Sequence, residues 1–476
     1  MSAHHRPGFH VRPASGWVND PNAPVHVDGT YHLFCQHNPG GTEHGDVHWA
    51  HFSSQDLVHW TTHPIALAPR PGGPDADGCW SGSAVLVDGE PWLVYSGRLD
   101  AVEHETVCVA RPLPGHERWA ADPEAAVMQS PPEAADLAVF RDPFVWRDGD
   151  GFRMLVGAGY RNGTGLALQY RSDDLRAWTP LGPFCTAAHP VVSGRDTGDA
   201  WECPQLLRRD ERGLLVLSVW RTEGGPSHVD YVSGRLVGDR LEPEGSGRLD
   251  HGPDFYAPAL TVDATGRCLL WGWVWEARDA ADVELDGWAG LLTVPRVLGL
   301  AADGTPRMLP APELSTLRGD GSSAEVRLQP GAGQVLDAGA GSALDVEARL
   351  VPGPGGQAWL RVLADPGGAE LTEIGVDGAG QVYLSRDRSS ARAGTHGGTY
   401  RMPVGLDGAG GVDLRVLVDA SVVEVFAADG HALTARVYPE SRLSTALVVG
   451  ADDAPGTASV RWWQVRTQGR STAPTA

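Results

Sequence analysis

The chain has 476 residues, with 38 Lys plus Arg against 60 Asp plus Glu, a formal net charge of −22. That length predicts two or three domains with a sizeable core, and the acidic balance argues against a nucleic-acid or anionic-membrane surface. All 38 cations are arginine, which removes lysine Schiff-base chemistry and a P-loop lysine; no H-E-x-x-H, G-x-S-x-G or G-x-G-x-x-G occurs either.

The first twelve residues carry His4, His5, Arg6 and Arg12 but no apolar run like a signal peptide, and no stretch reaches 18 apolar residues. The six cysteines stand singly, without C-x-x-C spacing, so free buried thiols and a cytoplasmic setting are expected.

Five segments then repeat one pattern. They are NDPNAPVHVDGTYHLFCQHN from Asn19, WSGSAVLVDGEPWLVYSGRL from Trp80, RDPFVWRDGDGFRMLVGAGY from Arg141, ECPQLLRRDERGLLVLSVWR from Glu202 and FYAPALTVDATGRCLLWGWV from Phe255. Each runs from a polar opening through apolar residues to a turn, then into a second apolar run. The turn aspartates Asp28, Asp88, Asp148, Asp210 and Asp263 are spaced 60, 60, 62 and 53 apart. Asp-Gly between alternating runs is a hairpin signal, and five hairpin-built units predict an all-β, five-bladed propeller. A further phrase recurs two periods apart, Ser53 to Trp60 and Arg171 to Trp178.

Beyond Trp288 the usage changes, since 14 of the 17 tryptophans are already spent. A Pro-rich joint over 306–319, with room for a short helix, is expected to separate a propeller over 1–305 from a second all-β unit over 320–476. Gly-rich text with period-two runs such as Val412 to Val418 predicts a β-sandwich there.

The openings of repeats one, three and four carry Asp20, Asp142 and Glu202, read here as one phase that converges on one end of the propeller axis, with Ser81 and Tyr256 at the matching places. Crowded carboxylates repel, so at least one is expected to stay protonated near neutral pH while another remains ionised. Glycoside hydrolysis calls for that pair: a proton for the leaving oxygen and an anion beside an oxocarbenium-like carbon. Trp17, Trp49, Trp80, Trp201 and Trp273 lie near the openings as candidate sugar platforms. Asn19 and Asn22, two of only four asparagines, flank Asp20. Eleven of the 18 histidines precede residue 64, including His44, His48 and His51, without a carboxylate or cysteine set at ligand spacing. No cofactor or metal is called for, and Cys203 reads as a packing thiol beside Glu202.

The ordered motifs WVNDPNAP, FCQHNP, WSGSAV, FRDPF, WECPQL and DFYAP resemble glycoside hydrolase family 32, the β-fructofuranosidase, invertase, levanase and inulinase group. The resemblance implies a five-bladed propeller followed by a β-sandwich, and an enzyme releasing fructose from sucrose or short fructans. Matched residue by residue, it implies Asp20 as nucleophile, Glu202 as acid/base and Asp142 as transition-state stabiliser. Asn19, Gln36, Trp49, Trp80, Ser81, Arg141 and Trp273 match positions lining the fructose subsite. The implied route is retaining, for which two carboxyl groups about 5–5.5 Å apart are expected. Val18, Ala23, Cys35, Trp80 and Gln205 depart from the usual motif residues; none removes a catalytic group. An inverting arabinanase-like pentosidase and a non-catalytic sugar-binding propeller are the alternatives. The expected partner is a small sugar or oligosaccharide, and the oligomeric state is not written in the sequence.

Overall fold

A computed structural model describes residues 3–122 and 134–466. The Asp-containing turns do what their chemistry predicts: Asp28, Asp88 and Asp210 take left-handed φ values of 50–52°, and each closes a two-residue hairpin between paired strands. These hairpins build five sheets whose innermost strands are Gly16–Val27, Gly78–Val87, Leu137–Asp148, Ala200–Arg209 and Phe255–Val262. Each innermost strand packs on its two neighbours, so the sheets close into a ring as the blades of a five-bladed propeller. Between the second and third strands of blade five the chain returns, and Trp288–Ala289 pairs in parallel with Gly16 and Trp17 of blade one. That pairing seals the ring.

The repeated phrase is one turn used twice. Asp56 Oδ1 accepts the backbone N–H groups of Val58 and His59, and Asp174 Oδ1 those of Arg176 and Ala177. Leu57 and Leu175 follow at left-handed φ with their side chains buried.

The Pro-rich stretch read as a joint is more ordered than that. Pro306–Pro310 is the outer strand of blade five, paired with Arg296–Leu300, and Pro312–Leu317 is a 3-10 turn. From Arg318 onward two six-stranded antiparallel sheets face each other over an apolar core that includes Leu344, Val346, Leu360, Ile374, Val416 and Leu447. This is the β-sandwich.

Candidate active site

Strand register explains how the acids are aimed. In every blade the innermost strand sets two residues against one on the next strand: Ala23-Pro24, Trp80-Ser81, Asp142-Pro143, Cys203-Pro204 and Ala257-Pro258. Such a bulge frees the first residue from the ladder and turns its side chain out of the pleat. Proline fits there because its missing N–H is not needed by the ladder. Ala23, Asp142, Cys203 and Ala257 take positive φ at these bulges, between 45° and 67°.

This register corrects the reading of one shared phase. Asp142 occupies the bulge itself, whereas Glu202 stands one residue before it, matched by Arg141 and Tyr256 in the next blades. Ser81 is the second residue of its bulge. Asp20 belongs to an additional bulge of blade one, Asn19-Asp20. The three acids converge from three different offsets.

Asp20 ends a chain of hydrogen bonds. Asn19 Nδ2 donates to Gln36 Oε1 at 3.1 Å, Gln36 Nε2 to Ser81 Oγ at 2.5 Å, and Ser81 Oγ to Asp20 Oδ2 at 2.5 Å. Gln36 Nε2 also reaches Asp20 directly at 3.2 Å. Asn22 instead accepts the Gly82 N–H and ties blade one to blade two. Asp142 is held by Ser96 Oγ on its own N–H and by the Cys203 N–H on its carboxylate at 3.1 Å. The Cys203 thiol lies between the two aspartates, 3.5 Å from Asp20 Oδ2 and 3.6 Å from Asp142 Oδ2. Burial and these carboxylates push its pKa well up, so it stays a neutral donor and no thiolate nucleophile.

Glu202 is gripped from both sides. Arg141 Nε and Nη2 donate to Oε1 at 2.8 and 2.7 Å, and Tyr256 Oη meets Oε2 at 2.7 Å. Burial, then the charge of Glu202, raises Asp20 to about 7 and Asp142 to about 8. At least one proton is therefore kept among the crowded carboxyls near neutral pH, as expected, and Glu202 faces a guanidinium.

The tryptophans divide. Trp80 is half-buried, with the Arg98 and Arg141 guanidiniums 5.5 and 5.8 Å from its ring and His44 edge-on. Trp17 and Trp273 meet edge to face at 5.8 Å. Trp49 and Trp201 are fully buried and spend their indole N–H groups on backbone carbonyls, Trp49 on Cys79 and Trp80, Trp201 on Thr197. Trp201 is core packing, and Trp49 a support beneath the Trp80 strand. Asn19 Oδ1 and the indole nitrogens of Trp17 and Trp273 are buried without a hydrogen-bond partner. His51 stacks between His32 and His63, away from the acids, and burial lowers all three. Sequence reasoning gave Tyr256 no role, although its place in the repeat was visible.

Comparison with known proteins adds the following. Residues 10–312 match the model of the glycosyl hydrolases family 32 N-terminal domain, and residues 313–464 that of the family 32 C terminal. A sucrose-6-phosphate hydrolase of Escherichia coli is 33% identical over 91% of this chain and 89% of its own length. An insoluble β-fructofuranosidase of Daucus carota is 32% identical over 91% of this chain and 84% of its own. Fructan 1-exohydrolase IIa from Cichorium intybus, solved with 1-kestose, superposes with a TM-score of 0.86 at 25% identity, covering 99% of this chain and all of that one.

Proposed function

The chain belongs to glycosyl hydrolase family 32 and is a fructose-releasing, invertase-like glycoside hydrolase, and we propose that it works by a retaining double displacement with Asp20 as nucleophile. Glu202 protonates the glycosidic oxygen as Asp20 attacks the fructose C2; the leaving sugar departs, and Glu202 then takes a proton from the water that releases fructose. Asp142, beside both, offsets the positive charge that develops on the ring.

The observation that carries this reading is the pair of settings around Asp20 and Glu202. Asp20 meets hydroxyl and amide donors that stabilise an anion. Glu202 meets a partner suited to both of its protonation states. Tyr256 Oη lies 2.7 Å from Glu202 Oε2 and 3.1 Å from the Val219 carbonyl. It donates to Glu202 when that carboxylate is ionised. When Glu202 carries the proton, the same oxygen accepts it and turns its own hydrogen to Val219. An acid/base that changes state twice per cycle is thus supported in both states. The route needs one proton among three carboxyls, and the raised affinities of Asp20 and Asp142 keep one in the site near neutral pH.

Asn19, Gln36, Trp80, Ser81, Arg141 and Trp273 are assigned to the fructose subsite, with Trp49 supporting it from below. The substrates are sucrose and short fructans, in keeping with the names of the relatives, which also disfavour the pentosidase and lectin alternatives. The division proposed is a catalytic propeller and an accessory sandwich. No helix among the described residues is long and apolar enough to cross a membrane, and six buried cysteines, none of them in a disulfide, support a reducing, cytoplasmic setting.

The test is product release from sucrose, 1-kestose, levan and an arabino-oligosaccharide, with NMR of the first-formed anomer and Glu202→Gln as control. Fructose liberated first as the β-anomer, and lost in the control by about 10²-fold or more, is the expected result. First-formed α-fructose, or release from the arabinoside alone, overturns it.

A further inference from the structure

Beside the site, outside every motif that carries it, sits a buried carboxylate with no evident task. Glu105 stands just before the third strand of blade two and is 3% exposed. Its Oε1 lies 3.3 Å from Arg98 Nη1 and 3.9 Å from Arg141 Nη1. Arg98 continues outward to Asp100 at 2.9 Å, and Arg141 inward to Glu202. Charges therefore alternate from the surface to the acid/base: Asp100, Arg98, Glu105, Arg141, Glu202. The same two guanidiniums flank the Trp80 ring, and Arg141 also lies 5.4 Å from the ring of Trp220.

A propeller blade has no packing need for a carboxylate there, and burying one is costly unless cations face it. A guanidinium is a planar fork, so two carboxylates and two aromatic faces around Arg141 leave it one orientation. We propose that Glu105 is a positioning residue for the glycosidase reaction: from its place between Arg98 and Arg141 it fixes the guanidinium that grips Glu202 and so sets the proton affinity of the acid/base without touching substrate. The inference rests on Glu202 being the acid/base.

The sign follows from the charges. Glu202 is faced by Arg141, Tyr256, His44, Cys203, Asp20 and Asp142. Arg141 is the cation that touches it, and Glu105 neutralises part of that cation. Removing the charge of Glu105 leaves Arg141 more positive toward Glu202, so the proton is lost at lower pH. Removing Arg98 frees Glu105 to oppose Arg141 more fully, with the reverse effect.

The experiment is the pH profile of kcat/KM on sucrose for the wild type, Glu105→Gln, Glu105→Asp and Arg98→Gln, with melting temperatures alongside. In Glu105→Gln the alkaline descent is expected to move down by roughly half to one pH unit, with partial return in Glu105→Asp. In Arg98→Gln it moves up. A folded Glu105→Gln whose alkaline limb coincides with the wild type overturns the proposal, whatever its melting temperature or kcat. Should Glu105→Gln fail to fold, Arg98→Gln decides: an upward shift supports it, an unmoved limb overturns it. Glu202→Gln separates the two readings. Full turnover in that variant removes the site assignment and this inference with it; a dead Glu202→Gln with unmoved limbs in the others removes only the inference.

Discussion

At Asp20 the demands of chemistry and of stability oppose each other. Burial raises Asp20 and Asp142 toward neutrality, to about 7 and about 8, against an ordinary value of 3.8. The native state therefore keeps protons that the unfolded chain releases near pH 4, and this contribution to stability declines as pH rises from about 4 through the folded values. Asp20→Asn removes one such group. It is expected to abolish turnover yet, at pH 8, to raise the unfolding free energy by about 2–4 kcal/mol, with the advantage closing toward pH 4. Thermal unfolding of both proteins across that range checks it; a melting temperature that falls together with activity would count against Asp20 as a catalytic group. The three acids were legible in the sequence because Asp-Pro, Glu-Cys and the repeat frame mark them. Tyr256 was not, since its task depends on a carboxylate 54 residues away. The tryptophans were half legible: half-buried Trp80 opens WSGSAV and fully buried Trp201 opens WECPQL, and only packing tells the two apart.

The innermost strand of each blade is the element that converts a repeat into a site. Turn chemistry is local, so the spacing of the Asp turns announced five blades. A bulge is a relation between two strands, and the bulge prolines at 24, 143, 204 and 258 read alone only as turn residues. This is why the acids were placed in one phase when they sit at three offsets. The blade-three bulge also has a glycine on the facing strand next to it. Gly157 pairs with Arg141, and a Cβ there would lie 2.4 Å from the Trp201 carbonyl and 3.2 Å from Glu202 Cα. Backbone cannot rotate aside as a side chain does, so Gly157→Ala has to displace the strand bearing Glu202. The expected result is a fall in kcat/KM on the order of 10²-fold with about 1–3 kcal/mol of lost stability. Gly299→Ala, whose new methyl would meet nothing nearer than 3.7 Å, serves as control. Equal activity in the two variants would show that the Glu202 strand tolerates the shift.

At the scale of the whole molecule, propeller and sandwich are joined by buried ions set within apolar contacts, such as those of Val422 with Val274, Trp288 and Leu291. Arg296 of blade five is fully inaccessible, with Nη1 2.8 Å from Asp250 Oδ2, Nε 3.0 Å from Glu424 Oε2 and its plane between the rings of Phe255 and Phe426. His10 spans Asp419 and Glu424 of the sandwich, 2.8 Å to each. Burial works against charge on His10, but the bonds to the two carboxylates outweigh it and raise its pKa. That contribution is full below the ordinary histidine value of 6.5 and fades as pH rises through the raised one. None of this could be read in advance: the two units showed in tryptophan usage and glycine content, but Arg296 and Glu424 are 128 residues apart and each alone resembles a surface charge. Removing one member of such a set leaves the others buried and uncompensated, which is worse than never having had them. Arg296→Met is therefore expected to cost about 3–5 kcal/mol and to split unfolding into separate propeller and sandwich transitions by calorimetry. Because the set is shielded from solvent, adding about 1 M salt should neither mimic nor rescue the loss, as it would for exposed pairs. A single transition at the wild-type temperature would mean that the apolar contacts between the two units hold them together without the ions.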